Sequence, residues 1–597
     1  MTVTSPSQPI VIASLPWNLP DMVSVQVGAL KAFLQEKGID AIGRHYYKFI
    51  EAYIQPDDVR RIESGLVGDD FFGMLLFEEH KENIKKRIRR QTNDSVNIEM
   101  CLIGLSKFVD DVVDDIVAVN PSVLALTTTH MQYLSSLFIA KRVKEIHPNV
   151  QVVLGGLALY GDPAVETLNL FSFVDYIIYG EGETALWRLI QSISREISIE
   201  TVPQLIYRTV TGIHTSEKIE TIEDLNTLPY PDYSEYFDLS IKLGASNTPT
   251  IPRISLESVR GCKWGRCTFC IEGLPSRGGF RAKSSERVMN EIERCVKDFG
   301  VLDFVLTDPD VAFSGPAFQA ARTLGYDLHF MVELSGLVKT EEFHKMIDAG
   351  VNVVQIGIES FSPTMLKKYN KGVKLGKYIE LLKICKERNI TLIYNNIYNA
   401  PFETQKDVDE AIANMRRLIY FTPPRTSVFR VSTGSQILAN PAKFGISSIC
   451  PSPEVEGYPL DIAEKVGVLI SFNAGYGFKR EEDCEIVDYT EYFGVLQRWK
   501  AIYEVGAGMF ARYGAGYIRI EHRIGDSCFS IDITDPVEVE VYKYCRQLRQ
   551  RQEIDKQFPL YAKDVIDRAI SNLWDAKVLF VCDEHFLALA SFANNIR

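Results

Sequence analysis

The chain has 597 residues, 46% hydrophobic and 24% charged, with a formal net charge of −13. That balance describes a folded globular protein with ample core, and the acidic excess argues against a nucleic-acid surface. No apolar run reaches the roughly 18 residues that span a bilayer and no apolar signal segment opens the sequence, so a soluble, cytoplasmic protein of roughly two to four domains is expected, with no membrane partner.

In chain order, "IVIASLP" (10–16) reads as an opening buried strand that ends at a proline. "SVQVGALKAFLQEKG" then carries apolar residues at helical spacing and stops at a glycine. "SVLALTTTH" (122–130), "VQVVLGG" (150–156) and "VDYIIYGEGE" (174–183) each read as a buried strand that breaks into a polar or glycine-rich turn, with a helical pattern after it. Strands alternating with helices imply a Rossmann-like, parallel, doubly wound sheet whose ligands sit beyond the carboxyl ends of its strands. Thr127, Thr128, Thr129, His130, Gly155, Gly156, Gly180, Glu181, Gly182 and Glu183 are therefore expected to converge on one crevice. Glycines there let the backbone approach a bulky ligand. The same turns also suit a Rossmann-like domain without one. His130 is read as a packed or hydrogen-bonding turn residue, not as a metal ligand.

"ESVRGCKWGRCTFC" (257–270) gathers Cys262, Cys267 and Cys270, three of the chain's eleven cysteines. Three is an odd number for disulfides, and the remaining cysteines are scattered. Thiolates this close suggest a soft metal. Three of them can hold three irons of a 4Fe-4S cubane and leave the fourth iron open. A closed zinc site would want a fourth protein ligand nearby, and the next cysteine, Cys295, lies on a separate helical pattern.

Further apolar strand-like runs follow at "FVLTD" (304–308), "LHFMVEL" (328–334), "VVQIGIES" (353–360) and "TLIYNNIY" (391–398), separated by helical patterns. Such units build a partial (β/α)6 barrel with its chemistry at the carboxyl ends of the strands. Glu333, Glu359, Ser360 and Asn395 or Asn396 fall at those ends. Each could equally be a strand-end cap or an ion-pair partner.

The cysteine loop resembles the signature of the radical S-adenosylmethionine (SAM) superfamily, CxxxCxxC, with Phe269 at the aromatic position before the last cysteine and one extra residue in the first gap. That resemblance implies a 4Fe-4S cluster on Cys262, Cys267 and Cys270, and SAM held by Phe269, Glu333, Glu359, Ser360 and Asn395. "VVLGGLALYGDP", "VDYIIYGEGETALWRLI" and "LNTLPYPDY" (225–233) resemble the cobalamin-binding half of cobalamin-dependent members. The implied cobalamin site uses Thr127 to Thr129, Gly155, Gly156, Gly180, Glu181 and Gly182, and the absence of a DxHxxG motif implies no histidine on cobalt. "LPWNLPDMVSVQVGALKAFLQEKGI", "GVNVVQIGIESFSPTMLKKYNKG" and "SSICPSPEVEGYPLD" look like the C-methyltransferases that mature ribosomally made peptides. "YNAPFE" (398–403) departs from them where relatives carry a glycine-bearing loop.

The resulting layout is α/β: a cobalamin-binding Rossmann-like domain over 1–222, a linker over 223–250, a radical SAM barrel over 251–440, and a small α+β C-terminal domain over 441–597. The end of the chain reads as a helix and two short apolar strands around a polar turn at Asp583 and Glu584, a winged-helix-like unit that docks a leader peptide or caps the barrel. Tyr489, Tyr492, Phe493 and Trp499 are read as core or as a peptide groove.

The resemblance implies a reaction carried by cofactors, with no side-chain acid, base or nucleophile. One SAM methylates cobalamin to methylcobalamin; a second is cleaved at the cluster to a radical that takes hydrogen from an unactivated carbon, which then receives the methyl group. A ribosomal precursor peptide and an electron donor such as flavodoxin or ferredoxin are the expected partners. Left open are a cobalamin-dependent enzyme that cyclises or rearranges without methylation, a methylthiotransferase, for which the N-terminal third offers only Cys101 toward a second cluster, and a zinc-stabilised binding protein.

Overall fold

The computed structural model describes residues 8–592 except 130, 157–158, 239–250, 273–277, 313, 453–454, 467–474 and 483. It divides into two compact units. The first holds Met1–Gly265, Phe269–Thr307 and Arg430–Lys479; the second holds Arg266–Thr268, Asp308–Phe429 and Arg480–Arg597. The segment expected as one C-terminal domain, 441–597, is thus shared between the two.

In the first unit, β1 (Ile10–Ser14), β2 (Ala41–His45), β3 (Val123–Thr127), β4 (Gln151–Gly155) and β5 (Tyr176–Ile178) form a parallel sheet in the order β2-β1-β3-β4-β5. A hairpin of β6 (Leu205–Thr209) and β7 (Gly212–Thr215) extends it antiparallel beyond β5. Every residue of β1 and β3 is buried, which is why both read as unbroken apolar runs: helices cover both faces of the sheet. Helix α1 (Val25–Glu36) starts where the Ser24 hydroxyl accepts the amide of Val27, α2 (Tyr133–Ile146) follows β3, and α3 (Gly182–Ile193) follows β5. Because the chain leaves β1 toward β2 on one side and reaches β3 on the other, the sheet's switch point lies between the carboxyl ends of β1 and β3.

The stretch from β2 to β3 is helical and builds a large core around Trp17, Tyr46, Phe71 and Phe72. Residues 430–479 return to it. Tyr458 packs where a Cβ on Gly73 would stand 2.8 Å from its ring, and its hydroxyl donates to Asp70, whose carboxylate pairs with Arg87 at 3.0 Å. Also in this unit, β8 (Arg253–Leu256) lies parallel between Met22–Val23 and β9 (Asp303–Leu306).

His45, at the end of β2, carries a titration signature. Tyr47 donates its hydroxyl to the Met22 carbonyl at 2.6 Å, so at 3.2 Å the Tyr47 oxygen accepts from His45 Nδ1. Burial pushes the imidazole down to about 3, with Lys48 and Lys31 adding to the effect. The folded protein therefore keeps His45 neutral while the unfolded chain takes up a proton below about 6.5, so stability falls with pH through that value and goes on falling toward about 3. The expected loss from this group is about 2 kcal/mol by pH 5. Denaturant titrations at pH 7 and pH 5 should show it in the wild type and lack that share of it in His45→Gln.

In the second unit, β10 (His329–Leu334), β11 (Val351–Ile356) and β12 (Thr391–Ile393) are adjacent parallel strands, and β13 (Asn395–Tyr398) pairs in parallel with β14 (Arg425–Val428). Helices Thr340–Asp348, Leu375–Glu387 and Gln405–Met415 connect them. Beyond the Thr490–Glu504 helix, β15 (Gly508–Tyr513), β16 (Ile518–Ile524) and β17 (Ser527–Ile533) form an antiparallel meander. The Lys563–Asp575 helix then leads into a hairpin of β18 (Leu579–Cys582) and β19 (His585–Ala588). Its two turn residues, Asp583 and Glu584, both have positive φ, as a two-residue hairpin turn requires. Tyr492 and Trp499 are core residues, and the Trp499 indole donates to the Phe421 carbonyl at 2.8 Å.

Candidate functional site

The turns expected to line a crevice in the first unit follow the ends of β3, β4 and β5. At β3, the Thr128 amide and hydroxyl both donate to the Gly155 carbonyl, at 2.6 and 2.9 Å, which locks the ends of β3 and β4 together. Gly156 has φ +130°, and a Cβ there would lie 2.5 Å from the Thr128 carbonyl oxygen and 2.8 Å from its nitrogen. The glycine is thus required by the neighbouring backbone, in addition to any ligand. At Gly155 the nearest atom to a Cβ would be the Ile178 oxygen at 3.6 Å, an ordinary contact.

Gln132, which the sequence reading passed over, ties the switch point. Its buried amide donates to Ser14 Oγ at 3.0 Å and to the Leu15 carbonyl, and its oxygen accepts from the Thr129 amide and hydroxyl at 3.2 and 2.6 Å. The ends of β1 and β3 are held by one side chain. His130 lies outside the described residues. At β5, Gly180 has φ +76°, Glu181 caps α3, and Gly182 opens that helix. The Glu181 carboxylate does not stand free in the crevice: it pairs with Arg260 at 2.9 Å and with Arg281 at 2.5 Å and accepts the Ile222 amide at 3.0 Å.

The cysteine loop leaves β8 through Val259–Arg260 and returns through Arg281–Ala282, two short arms that pair antiparallel. Gly261 turns the chain at φ +75°, where a Cβ would meet the Gly279 oxygen at 2.5 Å. Cys262, Cys267 and Cys270 are each partly exposed, and none of the three is in a disulfide. Cys262 and Cys270 belong to the first unit, where the Glu272 amide points at Cys270 Sγ at 3.5 Å; Cys267 belongs to the second. Next to Cys267 the Thr268 amide donates to the Tyr369 carbonyl at 3.0 Å, and Asn370 donates to the Arg266 carbonyl at 2.9 Å. Three accessible thiols with an amide directed at one sulfur fit the donor set of a 4Fe-4S cluster with an open iron. Among the described residues no three His, Cys, Asp or Glu side chains converge as ligands of a single metal ion.

In the second unit the strand ends carry the residues expected for SAM. Glu333 and Gln355 lie directly opposite on β10 and β11, and the Gln355 amide donates to Glu333 at 2.8 Å. Glu359 sits at φ +70°, strained for a glutamate, because its amide donates to the Asn395 carbonyl at 3.2 Å and its carbonyl accepts from Ile397 at 2.8 Å. Burial raises its carboxyl above the ordinary range, opposed by Lys371 at 3.6 Å. Ser360 is buried and accepts the Ser362 amide at 3.1 Å. Asn395 is exposed, whereas Asn396 is buried and donates to the Tyr492 hydroxyl at 2.7 Å. Phe269 is half-buried.

The sequence reading missed Asp310. One of its oxygens accepts the amides of Ala312 and Ser335 at 3.0 and 2.9 Å, beside the end of β10, and the other is buried with no hydrogen-bond partner among the described residues. A carboxylate oxygen left bare in a buried position is costly unless something charged arrives, which makes Asp310 a candidate for a cationic group.

Over residues 256–415 the chain matches the Radical SAM superfamily. It is similar to PH0819 of Pyrococcus horikoshii, an uncharacterized methyltransferase, at 23% identity over 311 residues that make up 50% of this chain and 65% of that one. It is also similar to TokK of Streptomyces tokunonensis, a cobalamin-dependent radical SAM methyltransferase, at 25% identity over 451 residues, 72% of this chain and 63% of that one. The chain therefore spans less than two thirds of the length of either relative. Its fold resembles TsrM of Kitasatospora setae, a radical SAM methyltransferase whose structure holds cobalamin and a 4Fe-4S cluster, with a TM-score of 0.54 and 16% identity across 83% of this chain and 91% of that one. With its three thiols on one loop and its strand-end carboxylates, the chain carries a radical SAM domain over residues 256–415, and with it that family's need for a 4Fe-4S cluster and SAM.

Proposed function

We propose that this chain is a cobalamin-dependent radical SAM methyltransferase that places a methyl group on an unactivated carbon, with a ribosomally made peptide as substrate. The observation that carries the methyl-transfer reading is that one chain holds both a radical SAM domain and, ahead of it, a parallel sheet whose strands β3, β4 and β5 run into the Thr127–Thr129, Gly155–Gly156 and Gly180–Gly182 turns. The relatives named methyltransferases support it. The peptide substrate rests on the sequence resemblance alone, as does the low-potential electron donor.

When bound, the cluster, SAM and cobalamin supply the radical and the transferable methyl group, which no side chain can provide. The protein's share is placement. Cys262, Cys267 and Cys270 hold three irons. Glu333, Glu359, Ser360 and Asp310 offer carboxylates and a hydroxyl to the charged and ribose parts of SAM, and Phe269 a ring. The turns after β3, β4 and β5 would present backbone groups to the corrinoid.

Each turnover should consume two SAM molecules and two electrons. The substrate hydrogen leaves in 5'-deoxyadenosine, and the methyl donor leaves as S-adenosylhomocysteine. With methyl-deuterated SAM, mass spectrometry should find all three deuterons in the product and the two nucleosides in equal amounts. 5'-Deoxyadenosine with an altered substrate but no added methyl mass would replace this reading with a cyclase or rearrangement.

A further inference from the structure

Five charged side chains meet beside the crevice turn. Arg260 donates to Glu181 at 2.9 Å, to Glu183 at 2.5 Å and to Glu257 at 2.8 Å, and Arg281 pairs with Glu181 at 2.5 Å and donates to the Ile222 carbonyl at 2.8 Å. All five are largely buried, which makes the group costly to disturb. The two arginines stand directly opposite each other on the ribbon that opens and closes the cysteine loop. Like charges in that position repel, and Glu181 lies between them with one oxygen on each. Glu181 is also the residue that joins β5 to α3, between Gly180 and Gly182. A displacement of that turn moves a carboxylate shared by both arms of the loop.

We propose that Glu181 is a positioning residue that couples the crevice turn to the loop of Cys262, Cys267 and Cys270, so that occupation of one site changes affinity at the other. This rests on the crevice being the corrinoid site. Linkage makes the effect measurable without turnover, because a cluster that favours one placement of the loop must alter cobalamin affinity by the same factor that cobalamin alters the cluster's.

The test is hydroxocobalamin binding to the full chain, followed by visible absorption, before and after anaerobic iron-sulfur reconstitution. In the wild type the two dissociation constants should differ by about fivefold or more. In Glu181→Gln, with normal iron content, the ratio should collapse to within about twofold. Arg281→Lys, which keeps the charge and loses the guanidinium fork, should give the same collapse, and it decides the matter if Glu181→Gln does not load. An unchanged ratio in the loaded variant, or a wild type that binds cobalamin equally well with and without its cluster, overturns the proposal. A wild type that binds no cobalamin overturns the crevice reading first, and the coupling with it.

Discussion

Replacing Cys262, Cys267 and Cys270 together with alanine should take the reconstituted protein from about four irons per chain to none and abolish SAM cleavage with them. Four of the other thiols are poor substitutes. Burial pushes Cys101, Cys295, Cys385 and Cys545 each up to about 12, so they remain protonated where a metal needs thiolate. Cys295→Ala is the sharpest control, since it removes the cysteine that follows the loop in the chain and should leave iron and sulfide content unchanged. Iron retained by the triple variant, measured beside its visible spectrum, would sink the assignment.

The second large effect is at Gly156, and it is an effect on folding. A side chain there meets the Thr128 carbonyl oxygen, nitrogen and carbon at 2.5, 2.8 and 2.9 Å, all backbone atoms held in place by the bonds to Gly155, and it would have to adopt φ +130°. Gly156→Ala should cost about 2–4 kcal/mol, and Gly156→Leu more, read as a lowered unfolding midpoint for the first unit. Gly156→Leu is therefore a poor probe of ligand binding. Gly155→Leu is the cleaner one: its Cβ meets only an ordinary contact. It should keep near-normal stability and iron content while losing bound cobalamin. A folded Gly155→Leu protein that binds cobalamin as the wild type does would place the corrinoid elsewhere.

In the first unit, the parallel strands visible in the sequence are those whose residues are mostly buried. β1, β3, β4 and β5 stand within the runs at 10–16, 122–130, 150–156 and 174–183, because strands covered on both faces need apolar residues throughout. β2 was invisible for the opposite reason. "AIGRH" alternates buried and half-buried positions at the sheet edge, and its Arg44 reaches out to Asp115 at 2.8 Å. β14, "RTSV", has no fully buried residue and left no signal. The run at 391–398 was read as one strand, yet the structure breaks it at Tyr394, whose buried side chain turns to the Thr422 carbonyl and separates β12 from β13.

The site divides in the same way. Cysteine spacing is a local code and could be read directly. Two of the partners of Arg260, Glu183 and Glu181, lie 77 and 79 residues away, and only folding brings them together. Asp310 is a carboxylate in a loop like many others, and what marks it is a buried oxygen with no hydrogen-bond partner among the described residues.

The return of residues 430–479 to the first unit bears on how the protein is made. On the ribosome, the bed of Tyr458 over Gly73 and Asp70 is translated long before the residue that fills it. At about 5–20 residues per second, the interval between residue 307 and residue 479 is roughly 10–35 s. Through that interval the first unit has an open apolar seat and an Asp70–Arg87 pair lacking its third member. A chain ending at 307 would keep that seat permanently, so it should be sticky, short-lived in a cell and dependent on a holding chaperone. Supplying 430–479 as a separate polypeptide should rescue its solubility.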